Sequence, residues 1–201
     1  MITRPTTPPA RLVVMASGNG SNLGAIFEAC ADGRLAADVV AVVSNNADAF
    51  ALQRARDADV ETVVAPHAGR DRAEYDNELA YTVSSFGPDL VVLAGWMRLL
   101  TTFFLSHHTT INLHPAKPGT FPGTHAIERA FEAWHEGRID HGGVMVHYVP
   151  DEGVDNGPVI ASEEVPFLPG DTLASYEARV HAVEHDLLVD AIGTVLARAR
   201  V

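Results

Sequence analysis

Short apolar runs rich in β-branched residues, separated by segments with helical periodicity, constrain this chain more than any other feature. The runs fall at residues 12–16, 39–43, 62–65, 90–94, 110–113 and 144–149, and stretches such as Val91-Val92-Leu93-Ala94 show no polar alternation. A strand that is apolar on both sides must be covered on both sides, which is the condition of a parallel sheet flanked by helices. Helices are predicted between the runs at 22–32, 47–59, 72–86, 124–135 and 172–200, the fourth beginning after the cap signal Gly123-Thr124. The expected fold class is α/β: a single Rossmann-like domain with a mostly parallel sheet and helices on both faces. After residue 140 the rhythm changes. Residues 141–149 and 159–165 are separated by an acidic loop and no helix, which predicts an antiparallel C-terminal addition.

Composition narrows the class. At 201 residues and 47% hydrophobic content, the chain can bury one substantial core, and residues 11–201 are expected to form one domain. The 14 basic and 26 acidic side chains leave a formal charge of −12, which argues against nucleic acid and against anionic membrane as partners. An anionic small molecule would need a local pocket. The single cysteine, Cys30, cannot form an internal disulfide, and a reducing, cytoplasmic setting fits best. Residues 1–10 hold three prolines and no apolar core of a signal peptide, so they read as a flexible leader. No apolar run approaches the roughly 20 residues of a membrane-spanning helix.

Candidate chemistry concentrates at Ile111-Asn112-Leu113-His114-Pro115. Side chains two apart on a strand share a face, so Asn112 and His114 are expected to project together beyond the strand's carboxyl end, where open α/β sheets bind ligands. Asp155, in the Gly- and Asp-rich loop Asp151-Glu152-Gly153-Val154-Asp155-Asn156-Gly157-Pro158, is the expected third member. Asn112 supplies an amide donor for a developing oxyanion, and a carboxylate beside His114 is expected to raise the histidine pKa.

Ser17-Gly18-Asn19-Gly20-Ser21-Asn22-Leu23 follows the first strand and opens the first helix, where free N–H groups and the helix dipole hold a phosphate. The dinucleotide fingerprint is incomplete: Leu23 holds its third glycine position and Ser44-Asn45-Asn46 stands where an acidic residue would end the second strand. A phosphate monoester is expected rather than NAD. His181-Ala182-Val183-Glu184-His185 matches an inverted zinc-protease motif, but it is read as a decoy because a third ligand is hard to find downstream. His107 and His108 are expected to be exposed in a polar turn. Trp96-Met97-Arg98-Leu99-Leu100 can be read as a flat apolar slot or as core.

Together these residues resemble the glycinamide ribonucleotide transformylase family, the folate-dependent formyltransferases of purine synthesis. The likeness runs from about residue 12 to the C-terminal helix. It rests on the 17–23 loop, Ser44-Asn45-Asn46-Ala47-Asp48-Ala49, Ala94-Gly95-Trp96-Met97-Arg98, Asn112-Leu113-His114-Pro115, His147-Tyr148-Val149, Asp155-Asn156-Gly157-Pro158 and Arg179-Val180-His181-Ala182-Val183-Glu184-His185. The resemblance implies transfer of a formyl group from 10-formyltetrahydrofolate, as co-substrate, to the amine of 5-phosphoribosylglycinamide, without a metal or a covalent intermediate. It implies that Asn112, His114 and Asp155 are catalytic. Gly20, Ser21 and Asn22 would hold the ribonucleotide phosphate and Glu184 its glycinamide end. Arg72, Met97, Arg98, Leu99, Leu100 and Asn112 would contact the folate.

By the same likeness, Asp155 keeps His114 charged. Many family members carry Ser-Leu-Leu-Pro after the His-Pro pair, whereas Ala116-Lys117-Pro118-Gly119-Thr120 stands here. That departure leaves the loop's shape open, and with it the choice between Lys117 aiding an anionic substrate and Lys117 lying in solvent. A homodimer is also left open. Rival readings are a formyltetrahydrofolate hydrolase, a formyltransferase for another small amine, and a non-catalytic nucleotide-binding module. A hydrolase of that type is expected to carry an N-terminal regulatory domain, and a tRNA formylase a basic C-terminal one.

Overall fold

The computed structural model describes residues 8–199. Among them, strands β1 (Ala10–Met15), β2 (Ala37–Ser44), β3 (Glu61–Val64), β4 (Leu90–Leu93), β5 (Thr110–His114), β6 (His141–Tyr148) and β7 (Val159–Pro166) form one sheet in the order β3-β2-β1-β4-β5-β6-β7. The first five run parallel, and β6 and β7 add antiparallel at one side. The α/β class, the Rossmann-like order and the antiparallel addition are as the sequence implies. The leader expected over 1–10 falls mostly on residues outside those described, and its last residue, Ala10, already begins β1.

Strict alternation within the buried strands divides the core. Leu12, Val14 and Ala16 pack on one face with α1 (Ser21–Ala31) and the long α6 (Leu173–Ala199). Val13 and Met15 pack on the other with Tyr75, Leu79 and Val83 of α3 (Arg72–Ser85). All four residues of β4 are buried, which is why that strand reads as an unbroken apolar run. Asp71 caps α3, its side chain accepting from Ala73 N and Glu74 N, and this gives the helix a sharp start.

Two helix expectations are corrected. α2 spans Phe50–Asp57 rather than 47–59, because Asn46 folds the preceding residues into a turn: its Oδ1 accepts from Asp48 N at 3.1 Å. α5 spans Ala126–His135 rather than starting at 124, because the Gly123 N–H is taken by the Asp155 carboxylate at 2.7 Å and His125 enters the helix at φ 58. A further helix, α4 (Thr102–His107), was not foreseen; six residues are too few to show a period. It also corrects the reading of the histidine pair. His107 is exposed on α4, but His108 is buried against Phe104, its Nε2 facing the Ala80 carbonyl at 3.0 Å.

The chain leaves β1 toward β2 and β3 on one side, then returns to β4 and β5 on the other. The carboxyl ends of β1 and β4 therefore border a topological switch point.

Candidate active site

Ser17 ties the switch point together. Its N–H donates to the Gly95 carbonyl at 2.9 Å, its hydroxyl donates to Asn45 Oδ1 at 2.7 Å, and Ser17 Oγ also accepts from Met97 N at 3.1 Å. One small side chain thus links the ends of three strands and sets the height of the loop that follows.

That loop reaches α1 through Gly20 at φ 74, where a Cβ would lie 2.7 Å from the Ala51 Cβ. No side chain caps α1, so the N–H groups of its first turn remain available to an anion. Arg54, which the sequence reading passed over, braces the loop from α2: its Nε donates to the Asn19 carbonyl at 3.0 Å and its Nη2 to Asn19 Oδ1 at 3.1 Å. The buried Glu184 of α6 meets the same loop, accepting from Asn22 Nδ2 at 2.9 Å. Burial pushes its carboxyl above the usual range, against the Asn22 hydrogen bond and the nearby His181 and His185. Asn22 Oδ1 is buried with no hydrogen-bond partner. The helix motif at 181–185 therefore turns its glutamate toward the 17–23 loop.

The structure brings Asn112, His114 and Asp155 together. Asn112 Nδ2 donates to Asp155 Oδ1 at 3.0 Å, and His114 Nδ1 lies 3.3 Å from Asp155 Oδ2, which also accepts from Gly123 N. Asp155 holds φ 49, an uncommon left-handed conformation for a residue with a side chain. His114 Nε2 faces the Phe121 carbonyl at 3.1 Å, and Arg129 Nη2 donates to that carbonyl and to that of Pro122, each at 2.7 Å.

The expected direction of the His114 shift is overturned. Burial, with the imidazole side chain only 5% exposed, pushes its pKa below the ordinary value. Asp155 and the Phe121 carbonyl oppose this, and His147 and Arg129 reinforce it. Asp155 therefore raises the His114 pKa as expected, but desolvation is the larger effect and the net shift is downward. Burial also pushes the Asp155 carboxyl upward, but the His147 and Gly123 hydrogen bonds and the electrostatic pull of the two neighbouring imidazoles outweigh it and hold the group below its ordinary value.

His147 is the residue the sequence reading quoted without giving it a task. Antiparallel pairing of β5 with β6 sets it opposite Asn112. Its Nδ1 faces the Tyr148 carbonyl at 2.8 Å, and since a carbonyl only accepts, that nitrogen carries a proton. Its Nε2 lies 3.2 Å from Asn112 Nδ2 and 3.5 Å from Asp155 Oδ1, so the imidazole packs against both the amide and the carboxylate. The Asn112 NH₂ faces His147 and Asp155.

The 96–100 segment is neither wholly slot nor wholly core. Trp96 and Leu100 are buried, whereas Met97 and Leu99 are exposed. The Arg98 guanidinium lies over the Tyr75 ring, 4.7 Å from its centroid, and its Nε is buried without a partner. Arg72 pairs with Glu152 at 2.9 Å and donates to the Leu100 carbonyl at 3.4 Å. The divergent loop closes as a turn, Thr120 N donating to the Lys117 carbonyl at 3.0 Å. Lys117 itself pairs with Glu164 of β7 at 3.0 Å, a carboxylate that also meets His141 at 2.9 Å. A cleft of about 340 Å³ lies against Asp155 and this loop, lined in part by Pro118, Met145, Val154 and Asn156.

A loop leading into the uncapped first turn of α1, and an amide, an imidazole and a carboxylate that meet at the end of β5, lie at the carboxyl edge of an α/β sheet, an arrangement suited to an enzyme of group transfer. Residues 10–192 match the family described as formyl transferase, and the chain belongs to that family. It is 43% identical over 197 residues to phosphoribosylglycinamide formyltransferase of Dictyostelium discoideum, covering 90% of this chain and 95% of that protein. The enzyme of the same name from Schizosaccharomyces pombe is 44% identical over 204 residues, with coverage of 93% and 97%. Among solved structures, glycinamide ribonucleotide transformylase 1 from Symbiobacterium toebii superposes with a TM-score of 0.87 at 37% identity, covering 94% of this chain and 88% of that one.

Proposed function

We propose that this protein transfers the formyl group of 10-formyltetrahydrofolate to the amine of 5-phosphoribosylglycinamide, with Asn112, His114 and Asp155 carrying the chemistry. The observation that carries the assignment is the contact of these three side chains at the carboxyl end of β5. Family membership and the named relatives support the substrates.

Attack of the neutral amine on the formyl carbon places negative charge on the formyl oxygen. Asn112 Nδ2 is an amide donor for that oxyanion. His114, whose pKa burial lowers, is assigned to take the proton released by the attacking nitrogen, through a water where the distance requires it. The imidazolium so formed has both its N–H groups matched by acceptors, Asp155 Oδ2 and the Phe121 carbonyl. Collapse of the intermediate breaks the bond to the folate nitrogen, which receives the proton from His114. No charge is left over.

Gly20, Ser21 and Asn22 are assigned to the phosphate and Glu184 to the glycinamide end, supported by the uncapped first turn of α1 and the Asn22–Glu184 contact. Met97, Arg98, Leu99, Leu100 and Arg72 are assigned to the folate; exposed Met97 and Leu99 offer apolar surface beside the switch point. The partners on this reading are small molecules in the cytoplasm, in keeping with the charge of −12.

The test follows 10-formyltetrahydrofolate consumption spectroscopically, with and without glycinamide ribonucleotide. Consumption only when the amine is present is the expected result. Consumption without it would identify a hydrolase, and none under either condition would leave a binding module.

A further inference from the structure

Glu152 lies three residues before Asp155 in the acidic loop and reaches across to the opposite wall of the site. Its Oε1 accepts from Thr102 N at 2.9 Å and from Thr102 Oγ1 at 3.1 Å, and its Oε2 pairs with Arg72 Nη2 at 2.9 Å. Thr102 begins α4 and Arg72 begins α3. Arg72 also donates to the Leu100 carbonyl, so this one carboxylate connects the loop to the end of the 97–100 segment.

Between Glu152 and Asp155 the loop is tightly turned. Gly153 N donates to Asp151 Oδ1 at 2.8 Å, and a Cβ on Gly153 would lie 2.4 Å from the Asn156 side chain. Asp155 then sits at φ 49, a conformation that persists only where the surroundings hold it. An exposed ion pair alone would do little of that holding. Three donors from two helix starts, converging on one carboxylate, fix its direction as well as its distance.

Resting on the function proposed above, we propose that Glu152 is a positioning residue for formyl transfer: it latches the acidic loop to α3 and α4 so that Asp155 faces His114 and Asn112. Four groups act on the His114 ring from the elements around it: Asp155 from the loop, His147 from β6, Arg129 from α5 and the Phe121 carbonyl. Among these, Asp155 is the group carried by the latched loop. Its charge raises the His114 pKa, so release of the latch lowers it.

The decisive experiment is an NMR titration of the His114 imidazole in the ligand-free full chain, comparing wild type with Glu152→Ala. The midpoint is expected to fall by about half a unit or more in the variant. In parallel assays kcat falls by about tenfold while the KM for glycinamide ribonucleotide stays within about twofold. Glu152→Gln, which keeps an oxygen for Thr102, restores most of kcat. An unchanged His114 midpoint in Glu152→Ala overturns the latch, even if the variant melts at a lower temperature. Should the wild type transfer no formyl group, the proposed function fails, and the titration still decides what Glu152 does.

Discussion

Asn112 and Asp155 are joined directly, the amide Nδ2 donating to the carboxylate Oδ1 at 3.0 Å although 43 positions separate them in the chain. His147 Nε2 lies 3.2 Å from the same amide nitrogen and 3.5 Å from Asp155 Oδ1, so imidazole and carboxylate crowd one side of the amide. On the proposed mechanism the substrate oxyanion gains its donor in competition with the Asp155 carboxylate. This makes Asp155 and His147 partners of the reaction in different ways.

Asp155→Asn leaves an oxygen for Asn112 but removes the charge opposite His114. The imidazolium formed during transfer loses its counter-ion, and kcat is expected to fall by about 10² or more, within the range of general acid–base contributions. The histidine pKa falls further as well. A His pKa already below 6.5 contributes stability that is complete above 6.5 and lost as pH falls through the depressed value. In the variant that loss moves to lower pH, measurable as melting temperature against pH. Wild-type rates in stopped assays would remove Asp155 from the mechanism.

His147→Phe deletes the ring nitrogen that faces the Asn112 amide. Leaving the half-buried amide and the Tyr148 carbonyl short of a partner costs about 1–3 kcal/mol of stability. Formyl transfer slows at least tenfold by lost orientation, with the ribonucleotide KM little changed. His147→Gln, whose side-chain oxygen can still accept, recovers part of the rate. Equal kcat in the Phe and Gln variants would count against the orienting role.

Glu184→Gln separates stability from binding. Because burial raises the Glu184 pKa, its protonated form is favoured by folding; that stability is complete below 4.5 and is lost as pH rises through the folded value. The neutral amide avoids this penalty, so the variant should melt higher than wild type at pH 7. The KM for glycinamide ribonucleotide rises about tenfold or more, as befits a lost charge-assisted hydrogen bond. A lower melting temperature at pH 7 would contradict the burial argument.

Gly20→Ala introduces a Cβ 2.7 Å from that of Ala51, at a backbone φ of 74. Strain and overpacking together cost about 1–3 kcal/mol. The loop's displacement weakens phosphate binding, so inorganic phosphate and the ribonucleotide should both bind less tightly by calorimetry. Unaltered affinity for both would place the phosphate elsewhere.

Legibility followed the range of the interactions. Strands such as β4 were evident because their burial on two faces is written into every residue. Asn112 and His114 were found because a two-residue spacing puts them on one face. The six-residue α4 and the burial of His108 were not, since each depends on packing against α3 rather than on a local pattern. His147 was visible as a motif, but its register opposite Asn112 exists only once β6 pairs antiparallel with β5.

By itself the sequence determined the order of the strands and of the longer helices, the residue types of the candidate site and the membership of a family, because periodicity and motif spacing are short-range properties of the chain. Tertiary structure alone decided the net direction of the His114 shift, the orientation of the Asn112 amide and the contacts of Glu152 with Thr102 and Arg72. The physical reason is that desolvation and hydrogen-bond direction depend on which distant groups close around a site. At His114 burial outweighs the neighbouring carboxylate, and no reading of adjacent residues contains that balance.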